Sequence, residues 1–448
     1  MNFGAALIKN SVEREQLVQL NLMAGHKAIA ATAYPSAINY LTEAMYLLRD
    51  DCWQYQYGLA LEIYELAIES AAITGAFKAM ENWAETLLEN AICHLDRVRT
   101  YEIKIQSYCS QNRLLEAISI AQIALKPLGF DLPMDANSSD ISEAFQATAK
   151  LLGDRHINSL ADLPQMDNIN KLAVMRIVMG VMPAVFLAIP SLYPPLILSQ
   201  VNSSIQYGNA PLSALCYACY GMLLNGILRK TDIANNFSDL AIQLTSKSNN
   251  KDLTARTYFV VGAFLAHNKR HIREVLPLLL EGYQISLDIG NIEYVGYCLQ
   301  HLAHNTYLVG HDLALLEKEI KSYIEILSNS KQITNLNYCQ IFWQSISHLL
   351  DPNEYAGKRL GKAFDEACDK AEPLLLKAND VTGLHLLHLH RLIISYLFED
   401  FSQARENALQ GRQYLAGSTG YFSTSVYYLY DSLSALALYS IENSADIL

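Results

Sequence analysis

The sequence predicts an all-α protein built as a right-handed superhelix of paired helices. Apolar residues recur at positions i, i+3, i+4 and i+7 in almost every segment of the 448 residues, which places them on one face of a helix. No segment of useful length shows the period-2 alternation of a half-buried strand. The helices come in similar pairs joined by short polar turns, which predicts a repeat array, an architecture without a natural size limit.

The first predicted helix pair lies within residues 22–48 and carries small residues at a regular spacing. Its key positions are Gly25, Tyr34, Ala37, Leu41 and Ala44. Small side chains let the two helices of a pair approach closely and admit the next pair, whereas bulky side chains there would splay the stack. This spacing is typical of a tetratricopeptide helix pair.

Later segments repeat the pattern with varying fidelity. The second copy has Met80 where an alanine is expected, and the third restores the pattern around Ala117. Successive anchors step by 43, 37 and 41 residues, so we expect a solenoid with repeats of about 37–43 residues. The residues predicted to make the contacts between repeats are Gly25, Tyr34, Ala37, Leu41, Ala44, Gly75, Phe77, Ala117, Ala124, Ala234, Ala241, Gly282, Phe401, Ala404 and Gly411.

Two stretches interrupt the repeats, which are predicted over residues 21–126 and 211–448. Residues 127–170 form an elaborated linker with one amphipathic helix, predicted from about Ser139 to Leu152 with Ser138 or Ser139 as N-cap. Residues 171–210 form proline-broken apolar helices, which we expect to be buried where the two halves of the array meet. Weaker copies are expected around Leu313–Leu327 and Leu360–Leu376.

Composition limits the classes of partner. With 33 Lys and Arg against 45 Asp and Glu, the net charge is −12, so the chain lacks the basic surface that nucleic-acid binding needs. The eight cysteines are scattered through apolar stretches rather than spaced as a disulfide framework, which favours reduced thiols. The N-terminal residues carry no secretory signal pattern, so a cytoplasmic location is expected.

One stretch raises the alternative of membrane association. No Asp, Glu, Lys or Arg occurs from Ile177 to Leu228, and residues 177–189 are almost entirely apolar. Pro183 interrupts this run, whereas a membrane span needs roughly 20 predominantly apolar residues in succession. A buried helix pair is therefore favoured, and membrane association through residues 177–198 remains the alternative.

A search for catalytic motifs finds none, so we predict no enzyme activity, no catalytic residue and no cofactor. The string Gly357–Ala363 is one residue short of a phosphate-binding loop and lacks its hydroxyl. Neither a glycine-rich nucleotide loop nor the paired Asp motifs of a kinase are present. His348 imitates a histidine-kinase phosphoacceptor, but the neighbouring acid and arginine are missing.

Histidine and cysteine pairs are the remaining candidates for a metal or redox site. Three histidine pairs have helical metal-ligand spacing: His267 with His271, His301 with His304, and His385 with His388. None encloses a catalytic glutamate, so solvated or core-edge histidines are favoured and no metal is predicted. Cys216 and Cys219 are interpreted as small packing residues, since neither a strand nor a second cysteine pair accompanies them. The 27 tyrosines suggest core and groove lining, with a peptide or small ligand as occupant of the groove.

Several strings carry a resemblance to a known family. Residues 13–41, the Asp50–Trp53 turn, and the segments ENAICHLDRVRTYEIKIQSYCSQNRLLEAI, LADLPQMDN, SIQYGNAPLSALCYACYG and YLYDSL resemble the helical region of large cyanobacterial hybrid signalling kinases. In that family a Ser/Thr kinase and a signal-transduction ATPase module precede the helical repeats, and a GAF sensor and a histidine kinase follow them. Residues 1–20 resemble the trailing end of the ATPase module, and the array is expected to be truncated at the C-terminus.

The resemblance implies a non-catalytic interaction or sensory region. Such a region would bind a protein or small ligand in the solenoid groove and relay binding to neighbouring ATPase, GAF and kinase domains. No catalytic residue of the family is carried over, because none of its catalytic motifs is present. A stand-alone tetratricopeptide-like scaffold or adaptor is the alternative, and the ligand and the oligomeric state stay open.

Overall fold

The fold is taken from a computed structural model, which describes Ile8, residues 10–350 and residues 371–442, with side chains described up to residue 439. The described residues are overwhelmingly helical and contain no β-strand; Gln165 and Asn209 form one isolated β-bridge. The predicted all-α class is confirmed. Consecutive helices pack against each other in pairs, as the repeat pattern predicts.

The chain divides into two compact units. The first comprises the residues up to Tyr108 together with Ala117–Leu132, and the second comprises Cys109–Glu116 and the chain from Pro133 onward. The helices of the N-terminal part are α1 (Ser11–Ala30), α2 (Tyr34–Leu47), α3 (Cys52–Tyr55), α4 (Tyr57–Thr74), α5 (Phe77–Asn90), α6 (His94–Ser110) and α7 (Leu114–Leu125).

Close helix packing in the first unit follows from its small residues. Helix α1 packs on α2, α2 on α4 and α4 on α5. A Cβ at Gly25 would lie 3.0 Å from Leu41 Cδ2, so the α1–α2 approach leaves almost no room for a larger residue. Gly75 ends α4 with φ of 76°, a left-handed conformation that glycine adopts without strain.

The second unit contains thirteen of the labelled helices within the described residues. They are α8 (Ser138–Leu152), α9 (Ile169–Ala188), α10 (Tyr193–Tyr207), α11 (Ser213–Gly226), α12 (Thr231–Lys247), α13 (Lys251–Phe264), α14 (Ile272–Asp288), α15 (Ile292–Leu308), α16 (Leu313–Asn329), α17 (Ile333–Leu350), α18 (Val381–Leu397), α19 (Phe401–Arg412) and α20 (Ser423–Glu442). Residues 371–378 are also helical, and Leu415–Ser418 form a 3₁₀ turn.

Helix α9 lies inside the second unit. Thirteen of its twenty residues are buried, and it contacts α10, α18 and the 3₁₀ turn at Leu415–Ser418. Asn379 Nδ2 donates a hydrogen bond of 2.7 Å to the carbonyl of Ala188, which ties the end of α9 to the start of α18. Among the residues with described structure, α9 alone is long and apolar enough to cross a membrane, and 72% of its apolar window is buried.

The linker helix α8 begins one residue earlier than predicted. Asn137, not Ser138 or Ser139, is the N-cap: its side chain accepts from the backbone N–H of Ser139 and Asp140, and Asp140 accepts from the N–H of Asn137. This reciprocal capping box satisfies the backbone N–H groups of Asn137, Ser139 and Asp140 at the start of the helix. Helix α8 packs against α10.

Candidate ligand cavity

A cavity of about 80 Å³ lies in the second unit and is bordered by α9, α10, α11, α13, α15 and α17. Its residues are Met179, Met182, Pro183, Phe186, Leu187, Tyr193, Leu215, Cys219, Phe259, Val260, Phe264, Tyr294, Tyr297, Gln300, His301, Thr334, Asn335, Tyr338 and Tyr421. A water molecule needs about 10–15 Å³ of such free space, so the cavity has room for several waters or a very small organic molecule.

Aromatic rings form most of the cavity wall. The rings of Phe259 and Tyr297 stack at 5.5 Å, and Phe186 and Tyr421 stack at 6.1 Å. The Phe264 ring meets Tyr421 edge-on at 5.3 Å. Offset-stacked and edge-to-face arrangements at these distances are favourable, so the wall is a connected set of flat, apolar surfaces.

Two tyrosine hydroxyls of the wall donate to carboxylates behind them. Tyr338 donates to Asp380 Oδ1 at 2.6 Å, and Tyr297 donates to Glu293 Oε1 at 3.1 Å. Asp380 also caps α18 by accepting from the N–H of Gly383. Burial raises the pKa of Asp380 to about 6, although both hydrogen bonds favour the ionised form and oppose the shift.

Three polar side chains of the wall carry an atom without a hydrogen-bond partner. They are Gln300 Nε2, His301 Nε2 and Asn335 Oδ1, and their residues are 1%, 2% and 2% exposed. A buried polar atom that lacks a partner costs about 1–3 kcal/mol. These three atoms are therefore the groups of the wall that are free to form a hydrogen bond with a molecule in the cavity.

His301 presents a defined hydrogen-bonding character. Its Nδ1 lies 3.1 Å from the carbonyl oxygen of Tyr297, which accepts only, so Nδ1 carries the proton and Nε2 of the neutral ring is an acceptor. Burial lowers the pKa of His301 to about 4, partly opposed by that hydrogen bond. At neutral pH the cavity wall therefore holds an uncharged imidazole with a free lone pair.

The structure places most predicted repeat-contact residues in the interior. Buried positions are Gly25, Ala37, Leu41, Ala44, Ala117, Ala124, Ala234, Ala241, Gly282, Ala404 and Gly411, while Tyr34, Gly75, Phe77 and Phe401 are half-buried. None of the fifteen lines the cavity. Their role as contacts between repeats stays a prediction, and the cavity is lined by a different set of residues.

The predicted histidine pairs do not converge on a common ligand position. His301 meets Tyr421 at 5.0 Å, whereas His304 stacks on Phe342 at 4.5 Å. His385 packs on Tyr427, and His388 stacks on Tyr414. Within the parts of the chain that the structure describes, no three His, Cys, Asp or Glu side chains are grouped as a metal ion requires.

Cys216 and Cys219 are buried in α11, as a packing role requires. Burial raises the pKa of Cys219 to about 12 and that of Cys216 well above its usual value, so both thiols stay protonated. Cys219 contacts the cavity, and His348 is buried in α17. The string Gly357–Ala363, Cys368, part of the Leu360–Leu376 repeat and residues 443–448 lie outside the described residues.

Sequence reasoning singled out His301 and Cys219 but missed Gln300 and Asn335, the two amide side chains of the cavity. Both helices carry other buried polar side chains, such as His304 in α15 and Asn337 in α17, so neither amide stood out from its neighbours in the sequence. Tyr421 lies in the short connection before α20, where no periodicity guides the analysis. Its position against α9 arises from tertiary packing over more than 230 residues.

No known family profile matches the chain. A comparison with curated proteins finds hybrid signal transduction histidine kinase G of Dictyostelium discoideum, 23% identical over 362 residues, an alignment that covers 72% of this chain. The matched region is 10% of that protein, so the chain spans about a tenth of its relative's length. The likeness relates this all-α helical-pair protein to a signalling protein.

Proposed function

We propose that the chain is a non-catalytic, ligand-sensing helical region of a signal-transduction kinase, built from tetratricopeptide-like repeats. A small ligand binds in the cavity of the second unit, and neighbouring ATPase, GAF and kinase domains of a full-length relative respond. The observation that carries the proposal is the aromatic cavity with three unpaired polar atoms. The likeness to a hybrid histidine kinase supports the signalling context.

The position of the cavity supports a relay by population shift. Its wall joins α9 to α13, α15 and α17, and α9 also contacts α18 and the turn before α20. A ligand that binds one packing of these helices more tightly than another shifts the equilibrium between them by its difference in affinity. Because packed helix interfaces are bistable rather than continuously deformable, a small change at the cavity is transmitted to the flanking helices.

The alternative function, a stand-alone scaffold, would use a different surface of the same fold. A scaffold would bind peptides on its outer surface and would need no polar atoms at an internal cavity. The unpaired atoms of Gln300, His301 and Asn335 therefore favour the sensory function. The seven cysteines of the described residues are free thiols rather than disulfides, which supports a reducing, cytoplasmic setting.

The test is a screen of small uncharged and charged molecules against the intact chain by thermal shift. We expect hits whose stabilisation disappears in Val260→Phe, because a larger side chain at this cavity residue fills the free space. Val12→Phe, the same exchange at a 61% exposed position, is the matched control and should retain the hits. Absence of hits, or hits that survive Val260→Phe, would contradict the proposal.

A second measurement addresses catalysis. The chain incubated with radiolabelled ATP and Mg²⁺ should acquire no phosphate, since no phosphate-binding loop or kinase motif is present and His348 is only 2% exposed. Phosphorylation that His348→Ala abolishes would show that a phosphoacceptor function had been missed.

A further inference from the structure

We infer that the cavity binds an uncharged, planar nitrogen heterocycle of a single ring that carries an N–H donor. The inference rests on the proposed function, because it names the ligand class of the same cavity. Three independent features of the wall lead to it: the charges near the cavity, the flatness of its aromatic surfaces, and the hydrogen-bonding groups left without partners.

The charges around the cavity exclude an anion. No Asp, Glu, Lys or Arg is among the cavity residues that the structure describes. Asp380 and Glu293 stand directly behind Tyr338 and Tyr297, and they engage the hydroxyl hydrogens of both tyrosines. These two hydroxyls can only present lone pairs to a ligand, and no cation in the wall would compensate the charge of an anion.

A cation is disfavoured by burial. Arg256 lies over the ring of Tyr294, at 5.1 Å from the ring centroid, and pairs with Asp252. With no charged group in the wall itself, a ligand cation would lose its hydration without a direct ionic partner, which costs several kcal/mol. An uncharged ligand avoids this penalty.

Hydrogen bonding requires a donor on the ligand. His301 Nε2 is fixed as an acceptor because its Nδ1–H is directed at the carbonyl of Tyr297. The side-chain amides of Gln300 and Asn335 each contain both a donor and an acceptor, so they adapt to the remaining ligand atoms. A ring with one N–H and a neighbouring unprotonated nitrogen satisfies His301 and one amide together.

The volume of the cavity limits the ligand to a single ring and requires one side chain of the wall to move. An engineered cavity of about 150 Å³ holds benzene, so about 80 Å³ is too small for a six-membered ring without movement. Tyr421 is the cavity residue that belongs to a short connection rather than a helix, between the 3₁₀ turn and α20. Its ring contacts Phe186, Phe264 and His301, and its displacement would open the space between them.

The experiment compares four probes on the intact chain by ligand-detected NMR and titration. Pyrazole is an uncharged ring with N–H and N; thiophene has the same ring size without a donor; benzoate is an anion; N-methylpyridinium is a permanent cation. We expect pyrazole to bind at least tenfold more tightly than thiophene, a difference of about 1.4 kcal/mol, and neither charged probe to bind. Binding should shift the resonances of Tyr421.

Three substitutions distinguish a loss of ligand recognition from a loss of folding. His301→Phe keeps an aromatic ring against Phe259 and Tyr421 but removes the acceptor, so pyrazole should lose its tenfold preference over thiophene. Asn335→Leu should weaken pyrazole binding without lowering the melting temperature, since the amide oxygen that it removes is buried and has no partner. Thr257→Val, which removes a buried unpaired hydroxyl away from the cavity, is the control and should leave binding unchanged.

The outcomes distinguish the two proposals. Equal binding of thiophene, tighter binding of benzoate or N-methylpyridinium, or an unchanged preference in His301→Phe overturns the ligand class, while cavity hits in the broader screen keep the proposed function. If water alone occupies the cavity and no molecule of any class binds there, both proposals fail.

Discussion

Six histidines of the described residues are buried, all on α15, α17 and α18: His301, His304, His348, His385, His388 and His390. Burial lowers the pKa of His385 to about 4 and that of His390 to about 3, and the neighbouring His385 adds to the effect at His390. Desolvation and then His390 lower the pKa of His304 well below its usual value. Together with His301 and His388, whose pKa values burial also lowers, these imidazoles are neutral in the folded protein at neutral pH.

Acid should therefore unfold the second unit. A histidine whose folded pKa is depressed contributes stability above its unfolded pKa of about 6.5, and this contribution is lost as the pH falls toward 4. Each histidine with a folded pKa of about 4 accounts for about 3 kcal/mol. Asp380 acts in the opposite direction, because its raised pKa adds stability as the pH falls from about 6 to about 4. This is the effect of a single carboxyl group, and the effect of several buried histidines outweighs it.

The measurement is the free energy of unfolding in urea from pH 7 to pH 4. We expect the free energy of unfolding to fall with decreasing pH. His301→Gln removes one group that binds a proton on unfolding, so the change in unfolding free energy should become smaller by about 1.4 kcal/mol per pH unit. The exposed His156→Gln is the control and should leave the slope unchanged. A stability that is constant or rises toward pH 4 would show that the buried imidazoles do not govern acid sensitivity.

At the level of elements, one close contact between consecutive helices involves a glycine outside the predicted set. A Cβ at Gly221 of α11 would lie 2.9 Å from the carbonyl oxygen of Ala234 in α12. A backbone carbonyl oxygen cannot move aside as the end of a flexible side chain can. An added Cβ would therefore force the two helices apart. Ala234 itself was predicted as a contact position, and the structure places it against this glycine.

Gly221→Ala should destabilise the protein by about 1–3 kcal/mol, because the added methyl group overpacks the α11–α12 contact. Gly180→Ala, in α9, is the matched helical control: nothing lies within 4 Å of its Cβ position, so the exchange should stabilise by up to about 1 kcal/mol through helix propensity. Urea denaturation of both variants measures the difference. Equal effects would mean that the α11–α12 spacing is not limited by this residue.

Helices with clear periodicity and capping residues could be predicted from the sequence, and contacts between distant segments could not. The linker helix was predicted at Ser139–Leu152 and observed at Ser138–Leu152, because amphipathic spacing and polar caps are local properties. The apolar stretch at 171–210 was expected to be buried, and α9 is buried. The meeting of Tyr421 with Phe186 has no local signal, and the cavity depends on it.

At the level of the whole molecule, the connection between α7 and α8 is the expected site of first cleavage. Its residues from Asp131 to Asp140 include exposed Pro133, Met134 and Asp135, and the boundary between the two compact units falls at Leu132–Pro133. Proteases cut exposed chain that is free of regular structure. Buried helices such as α9 are protected.

Limited proteolysis should therefore first cut between Asp131 and Asp140 and yield fragments of about 130 and 310 residues, which mass spectrometry identifies. Asp131→Asn and Asp135→Asn, which remove acidic sites for an Asp-specific protease, provide the control digestion. A first cut elsewhere would count against this division of the chain.

The hydrogen bond between Asn379 and the carbonyl of Ala188 joins residues 191 positions apart. A ribosome that adds about 5–20 residues per second needs about 10–40 seconds to extend the nascent chain across that interval. Throughout this time α9 has been translated but lacks α18 and the turn at Leu415–Ser418, which cover part of its apolar surface. Newly made chains would therefore depend on chaperone protection during synthesis far more than purified, refolded protein does.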